Sequence, residues 1–579
     1  MTNDWKTNYQ RWLSFAALDT EMKDLLKSIQ QDDGTLEDCF YKGIEFGTGG
    51  MRGEMGPGIN RINVYTVRKA SEGLARYMSD QGTEAKESGV VIAYDTRHKS
   101  REFAFEAAKV LGKHGIRVYV FDILCPTPLL SFAVRQLGAS AGIVITASHN
   151  PPEYNGYKVY GPDGAQITLA TAQQLLAKID EVDDELLVSF EDESVLKNKG
   201  LLKMVGTELM EVYLEQIKNL RVLSNRFSSA ADPIRIVFTP LHGTTLEAIT
   251  QGLKSFGYRH VTVVMEQANP DPDFSAVASP NPEEHQAFEL AIQYAKEVDA
   301  DLIMGTDPDG DRLGAAVKSR NGEFVVLTGN QIGALLLHYQ LSHNQESGLL
   351  PKNGAVLKTI VTSELGREIA ADFGMETMDT LTGFKYIGEK IGEFEKSKEY
   401  SFQFGYEESN GYLLGDFVRD KDAVQAALIM ADVCAFHKTR GKTVYDALLE
   451  LFGTYGFHEE GLHSLTFKGK EGMHKIGNIM TLFRSRPLTE VAGKKVIAIE
   501  DYLAGTCKDV QTGAVVSLAL PTSNVIKVHL EDDSWFCVRP SGTEPKLKIY
   551  FGVKGDSKEG GQQMLALLKQ FVLNYIESA

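Results

Sequence analysis

Short apolar runs that stop abruptly at polar, glycine-containing loops recur along the chain, and amphipathic stretches with helical spacing separate them. Residues 89–94 run apolar into Asp95-Thr-Arg97, Ser100 opens a helix through Leu111, and residues 117–121 form the next strand. Residues 142–145 then break at Thr146-Ala-Ser-His-Asn-Pro151, and a turn at Asn155-Gly leads into a further strand carrying Lys158. The alternation returns with strands at 235–239, 260–264 and 301–304 around a helix at 283–297. It returns again with strands at 355–360 and 401–404 and a helix from Asp422 through His437. Strands alternating with helices predict parallel βαβ units, so three α/β domains with mixed sheets are expected at 1–205, 206–325 and 326–452. From Gly453 the texture changes to strands near Leu465 and Val496 and at 524–530 and 535–538, closed by a helix at 562–576. That pattern predicts a smaller α+β domain over 453–579 with mixed or antiparallel strands. The first residues, up to Gln31, read as an amphipathic helix with Trp12, Phe15, Leu18 and Met22 near helical spacing, and Glu181-Val-Asp-Asp-Glu185 reads as solvated surface. No internal sequence repeat is evident.

The loops at the strand ends hold the candidate chemistry, because ligands of open α/β sheets bind at the carboxyl ends of the strands. Ser148 stands at the tip of the first such loop with His149 beside it, and Lys158 could face it. Phe46-Gly-Thr-Gly-Gly-Met-Arg-Gly53 has Arg52 where a dinucleotide fingerprint needs its third glycine; its backbone N–H groups and arginine suit an anion. Asp307-Pro-Asp-Gly-Asp-Arg312 places three carboxylates at alternate positions after an apolar strand. Such close like charges call for a cation, and oxygen-only ligands favour Mg²⁺ or Ca²⁺. An EF-hand is excluded, since Arg312 and Lys318 occupy its glycine and glutamate positions. Glu407 and Ser409 lie on another strand-end loop and suit sugar hydroxyls. Arg539, Ser541 and Thr543, with the exposed N–H groups around Gly542, suit a phosphate. Taken singly, each loop is also compatible with an ordinary turn.

Composition narrows the field. Sixty basic against 78 acidic residues give a net charge of −18, which argues against nonspecific binding to nucleic acid or anionic membrane. An anionic substrate would then require positive charge gathered locally. Five scattered cysteines without a CxxC pair suggest free thiols, and no apolar run approaches the ~20 residues of a membrane span. With no signal-peptide pattern at the start, a cytoplasmic enzyme is expected. Gly441-Lys442-Thr443 lacks the first glycine of a P-loop, and His458 and His463 are five apart rather than the four that share a helix face.

The loops at 148, 307, 407 and 539, in that order, resemble those of the α-D-phosphohexomutase family over nearly the whole span from Arg52 to Lys548. The pattern is nearest the long bacterial-type branch and is also similar to phosphopentomutases of the family. The resemblance implies four domains around a central cleft, the fourth a smaller lid-like one, and a phosphoglucomutase activity, with mannose or pentose phosphates as alternative substrates. It implies that Ser148 carries a phosphoryl group, with one Mg²⁺ held by Asp307, Asp309, Asp311 and a phosphate oxygen on Ser148. Glucose 1,6-bisphosphate is the implied intermediate and activator. Arg52, Arg97, Lys158, Arg312 and Lys385 would neutralise phosphate charge in the cleft. Arg539, Ser541, Gly542, Thr543 and Lys548 would hold the fixed phosphate, and Glu407 and Ser409 the sugar hydroxyls. His149 or Lys158 would be the general base, and Lys421 would steer the substrate. A sugar-phosphate hydrolase and a noncatalytic binding protein are the readings from other classes.

Overall fold

Val90–Tyr94 is buried on both faces, which is why it runs as unbroken apolar sequence rather than alternating. It is the centre of a mixed sheet in a computed structural model that describes residues 5–47, 49–221, 233–467, 469–541 and 546–578. That sheet holds Gly50–Glu54 (β1), Val90–Tyr94 (β2), Val118–Phe121 (β3), Ala141–Ile145 (β4), Tyr154–Tyr160 (β5) and Leu202–Val205 (β6) in the order β1-β5-β4-β2-β3-β6. A second sheet holds Arg235–Thr239 (β7), His260–Val263 (β8), Leu302–Thr306 (β9), Leu313–Lys318 (β10) and Phe324–Val326 (β11) in the order β11-β10-β9-β7-β8. A third holds Gly354–Thr359 (β12), Glu376–Thr380 (β13), Ser401–Glu407 (β14) and Gly411–Leu413 (β15) in the order β13-β12-β14-β15.

One plan recurs in all three. The first strand (β2, β7, β12) lies between the second (β3, β8, β13) and the third (β4, β9, β14), all parallel. A fourth strand (β5, β10, β15) then returns antiparallel beside the third. The turn between third and fourth strands spans residues 146–153, 307–312 and 408–410. These are the loops singled out from the sequence, and a shared topology thus stands where no sequence repeat is visible. The fourth unit is different: strand Phe457–Thr466 pairs with Lys546–Gly555, and the strands beyond it are all antiparallel.

A single apolar core joins the three α/β units, running from Val91 and Val144 through Phe238 and Met304 to Leu357 and Phe404. The fourth unit has its own core around Phe483, Phe536 and Val572. At the start of the chain the single expected helix is instead two, Trp5–Ser14 and Thr20–Ile29, followed by a third, Asp33–Phe40. Asp19 makes the break by accepting the N–H groups of Glu21 and Met22 as an N-cap. Glu185, expected on solvated surface, is 4% exposed. It accepts hydrogen bonds from Trp12 Nε1 at 2.7 Å and Arg11 at 2.6 Å, so a buried charge is kept because it is paired. All five cysteines are free. Among the described residues no helix is long and apolar enough to cross a membrane.

Candidate active site

Ser148 leaves β4 in the left-handed region, with φ of 52°, a conformation that costs a non-glycine residue energy and must be held by its surroundings. Two groups hold it. Thr146 Oγ1 accepts the Ser148 N–H at 2.8 Å. The Arg97 guanidinium sits beneath the loop and donates to the carbonyl oxygens of Ser148 (2.7 Å), Pro151 (2.7 Å), Tyr154 (2.9 Å) and Asn150. The Ser148 hydroxyl, buried at the wall of the cleft, donates to Asp307 Oδ2 at 2.6 Å and lies 3.1 Å from His149 Nδ1. Burial, with Arg312 and Arg52 nearby, pushes the His149 imidazole well below its usual range.

The second loop brings Asp307, Asp309 and Asp311 together with one oxygen of each within 4.8 Å of the others. Asp309 and Asp311 each have one oxygen tethered, and Asp307 has both, Oδ2 being the one that meets the Ser148 hydroxyl. Asp307 Oδ1 accepts the N–H groups of Asp311 (3.1 Å) and Arg312 (2.9 Å). Asp309 Oδ2 accepts from Lys158 Nζ at 2.9 Å, and Asp311 Oδ2 lies 3.2 Å from Lys421 Nζ. Asp309 Oδ1 and Asp311 Oδ1 are buried without a hydrogen-bond partner. Burial and the two neighbouring aspartates push the Asp307 carboxyl well above its usual range. Buried carboxylates this close, with free oxygens converging, fit a hard divalent cation.

The third loop turns from β14 to β15 through Asn410 at φ of 62°. Glu407 Oε1 accepts the Gly383 N–H at 2.8 Å, and Glu408 Oε2 accepts from the hydroxyls of Thr359 (3.1 Å) and Thr362 (3.2 Å). In the fourth unit Arg539 and Lys548 are cross-strand partners, so both cations project from the same face of the sheet. Ser148, Asp311, Glu407, Ser409, Arg539 and Lys548 all face one cleft of about 550 Å³.

Comparison with known proteins agrees in all four parts of the chain. Descriptions of phosphoglucomutase/phosphomannomutase α/β/α domains I, II and III match residues 43–186, 211–322 and 328–455, and that of the C-terminal domain matches 489–569. The chain belongs to the phosphoglucomutase/phosphomannomutase family. It is similar to a phosphoglucomutase of Staphylococcus epidermidis, 42% identical over 89% of this chain and 91% of that one. A phosphoglucomutase of Staphylococcus aureus is 41% identical over 91% of this chain and 92% of its own length. Two solved structures share the fold. One is a putative phosphomannomutase from Thermus thermophilus, with TM-score 0.65, 22% identity and coverage of 93% of this chain and 99% of its own. The other is the exocytosis-sensitive phosphoprotein parafusin from Paramecium, with TM-score 0.67, 19% identity and coverage of 93% and 95%.

Within this phosphohexomutase frame most of the residues named from sequence meet at the cleft. Arg52 lines it and donates to Asn150 Oδ1 at 3.0 Å; His149, Lys158, Arg312 and Lys421 line it as well. Two expected substrate cations lie elsewhere. Arg97 is 4% exposed, its guanidinium is committed to the loop carbonyls with Phe274 stacked 5.0 Å away, and it shapes the Ser148 loop from outside the residues that line the cleft. Lys385 is not among the residues lining the cleft; burial lowers its ammonium to about 8, and its Nζ lies 5.0 Å from the Tyr386 ring. Of the phosphate loop, Ser541 donates its N–H to Lys546 O at 2.7 Å, while Gly542 and Thr543 lie outside the described residues.

Two acids that sequence reasoning missed also line the cleft. Glu283 pairs with Arg312 from the loop before helix Glu289–Glu297. Glu460, on the first strand of the fourth unit, is pushed up to about 7 by burial, with Ser363 and Asn330 opposing the shift. Glu283 stands in Pro280-Asn-Pro-Glu283, a turn-rich context that could have marked it; Glu460 sits in a strand without any local signal.

Proposed function

We propose that the protein is a phosphoglucomutase that interconverts α-D-glucose 1-phosphate and glucose 6-phosphate through a phosphoserine and glucose 1,6-bisphosphate. The observation that carries this reading is the meeting of the Ser148 hydroxyl with the aspartate triad, at 2.6 Å from Asp307 Oδ2, on the wall of a cleft that also presents Arg539 and Lys548. Relatives 41–42% identical over about nine-tenths of the chain support glucose as the sugar.

Asp307, Asp309, Asp311 and a phosphate oxygen on Ser148 would hold Mg²⁺, which when bound supplies charge neutralisation for a transferring phosphoryl group. The remaining steps belong to the chain. Arg539 and Lys548 hold the phosphate of the entering sugar, and Glu407 and Ser409 accept or share hydrogen bonds with its hydroxyls. The free sugar hydroxyl attacks phosphorus, the bond from phosphorus to Ser148 Oγ breaks, and a bisphosphate forms. His149 or Lys158 would take the proton of the attacking sugar hydroxyl; His149 Nδ1 lies 3.1 Å from Ser148 Oγ, the leaving oxygen. After the bisphosphate turns over in the cleft, its other phosphate returns to Ser148. Phosphoryl transfer needs position and charge neutralisation more than covalent help, and Arg52, Lys158, Arg312 and Lys421 around the triad answer that need. They also resolve the charge problem of an acidic protein with an anionic substrate.

The test is a coupled assay for glucose 6-phosphate from glucose 1-phosphate, with Mg²⁺ and a trace of glucose 1,6-bisphosphate. Turnover that disappears in Ser148→Ala and with a chelator is the expected result; full activity in Ser148→Ala would sink the mechanism. The family description also names phosphomannomutases, so relative kcat/KM for mannose, glucose and pentose phosphates decides the sugar. Free phosphate released in step with substrate loss would favour a hydrolase, and binding without turnover a noncatalytic protein.

A further inference from the structure

The loop Pro240-Leu-His-Gly-Thr244, which no step of the reaction uses, follows β7 in a conformation that needs explaining. Leu241 and His242 are consecutive non-glycine residues in the left-handed region, with φ of 45° and 63°, and both are buried. Their conformation is locked from several sides. Leu241 N–H donates to Thr239 Oγ1 at 3.1 Å and His242 N–H to Gln267 O at 2.9 Å. The imidazole of His242 bridges Asn269 O, 2.9 Å from Nδ1, and the Ala276 N–H, 3.3 Å from Nε2, so Nδ1 carries the proton. Strain held this firmly is found where a backbone shape serves a site.

The shape presses on the aspartate loop. Thr244 N–H donates to Pro308 O at 2.9 Å and Thr244 Oγ1 to the same oxygen at 3.1 Å. A Cβ at Gly243 would stand 2.5 Å from Pro308 Cα and 2.6 Å from Pro308 O, so only glycine lets the two loops nest. Pro308 lies between Asp307 and Asp309. A second support comes from the first unit, at the start of helix Thr127–Leu137. Thr127 is wholly buried; its N–H donates to Asp309 O at 2.8 Å and its hydroxyl to Asp309 Oδ2 at 3.3 Å. Together with Lys158 this occupies Oδ2 and leaves Oδ1 as the buried oxygen without a hydrogen-bond partner.

We infer that Gly243 and Thr127 are positioning residues for cation binding: Gly243 fixes the backbone between the first two aspartates, and Thr127 fixes which oxygen of Asp309 is offered. The inference rests on the reading of the triad as the Mg²⁺ site. Outer residues that orient ligands typically change metal affinity about 10- to 100-fold.

Mn²⁺ titrated into the full-length protein and followed by electron paramagnetic resonance reads affinity without turnover. Thr127→Val, isosteric but without the hydroxyl, is expected to weaken Mn²⁺ binding by about tenfold, and Thr127→Ser to restore it. Gly243→Ala is expected to weaken it by about tenfold or more. Folded Thr127→Val and Gly243→Ala proteins that bind Mn²⁺ as tightly as wild type would overturn the inference. So would Thr127→Ser binding as weakly as Thr127→Val, which would mark Thr127 as packing alone. If Gly243→Ala does not fold, the threonine pair decides. Failure of the underlying reading looks different: wild type itself would then bind no Mn²⁺, and the inference would fall with it.

Discussion

Four backbone carbonyls, from Ser148, Asn150, Pro151 and Tyr154, converge on the guanidinium of Arg97. Lysine carries the same charge but cannot present a planar fork to several acceptors. Arg97→Lys is therefore expected to lower kcat by roughly ten- to a hundredfold through misplacement of the nucleophile, with KM little changed. Steady-state kinetics separates the two. Glu407 offers a pH test. Burial, with Glu408 adding to it and Lys421 opposing, raises its carboxyl to about 7 from an ordinary 4.5. The folded protein then holds a proton that the unfolded chain releases between those values, so stability falls as pH rises through that window. Glu407→Gln is expected to raise Tm relative to wild type at about pH 8 and to do so less at about pH 5, which thermal melts would check. The aspartates were legible because their alternate spacing after an apolar strand has no cheaper explanation. Arg97 was legible as a cation near the loop but not as its support, because carbonyls have no sequence signature. Glu460 was invisible, since only the packing of the fourth unit against Ser363 and Asn330 makes a site of it.

The strands set the loops, and β5 shows how little room they leave. Gly156 lies in register with Arg52 across the β1–β5 pair. A Cβ there would come 2.6 Å from Thr146 O, just past the end of β4, and 2.7 Å from Met51 O on β1. Gly156→Ala must spread β1 from the sheet and carry Arg52 with it. The expected loss is about 1–3 kcal/mol in urea denaturation, together with a fall in kcat/KM. At this scale the apolar runs gave the strands away, since strands buried on both faces need unbroken hydrophobic sequence. The break at Asp19 and the pairing of Glu185 were missed for a common reason. Both depend on which partner a carboxylate meets, the helix N–H groups in one case and Trp12 with Arg11 in the other.

Across the whole molecule, the shared core holds the three α/β units in one relation, while the fourth unit meets the third through a separate apolar cluster, Ile360, Val361 and Leu381 against Tyr502, Val525 and Trp535, and through charges beside it. Lys554 Nζ lies 2.8 Å from Glu368 Oε1, and Lys527 Nζ 3.5 Å from Glu364 Oε1. Arg539 and Lys548 reach the cleft only if that seam is kept. A double-mutant cycle on Glu368 and Lys554, both a third exposed, is expected to give a coupling of about 0.5–1 kcal/mol, read by denaturation. Loss of either charge is also expected to raise KM more than it lowers kcat, because the phosphate cations move while Ser148 does not.

The recurrence of one strand plan in three units has a practical side. Ser148, the three aspartates and Glu408 with Ser409 each lie at or in the turn between a parallel third strand and its antiparallel return. Both ends of every such hairpin are pinned by ladder hydrogen bonds, so the sheet does not depend on what the hairpin contains. For protein engineering the hairpin is then the natural unit of exchange. A graft at 307–312 or 408–410 would have to keep the ties between the sheets, Ser148 Oγ to Asp307 and the pair of hydrogen bonds between Leu313 and Asn410.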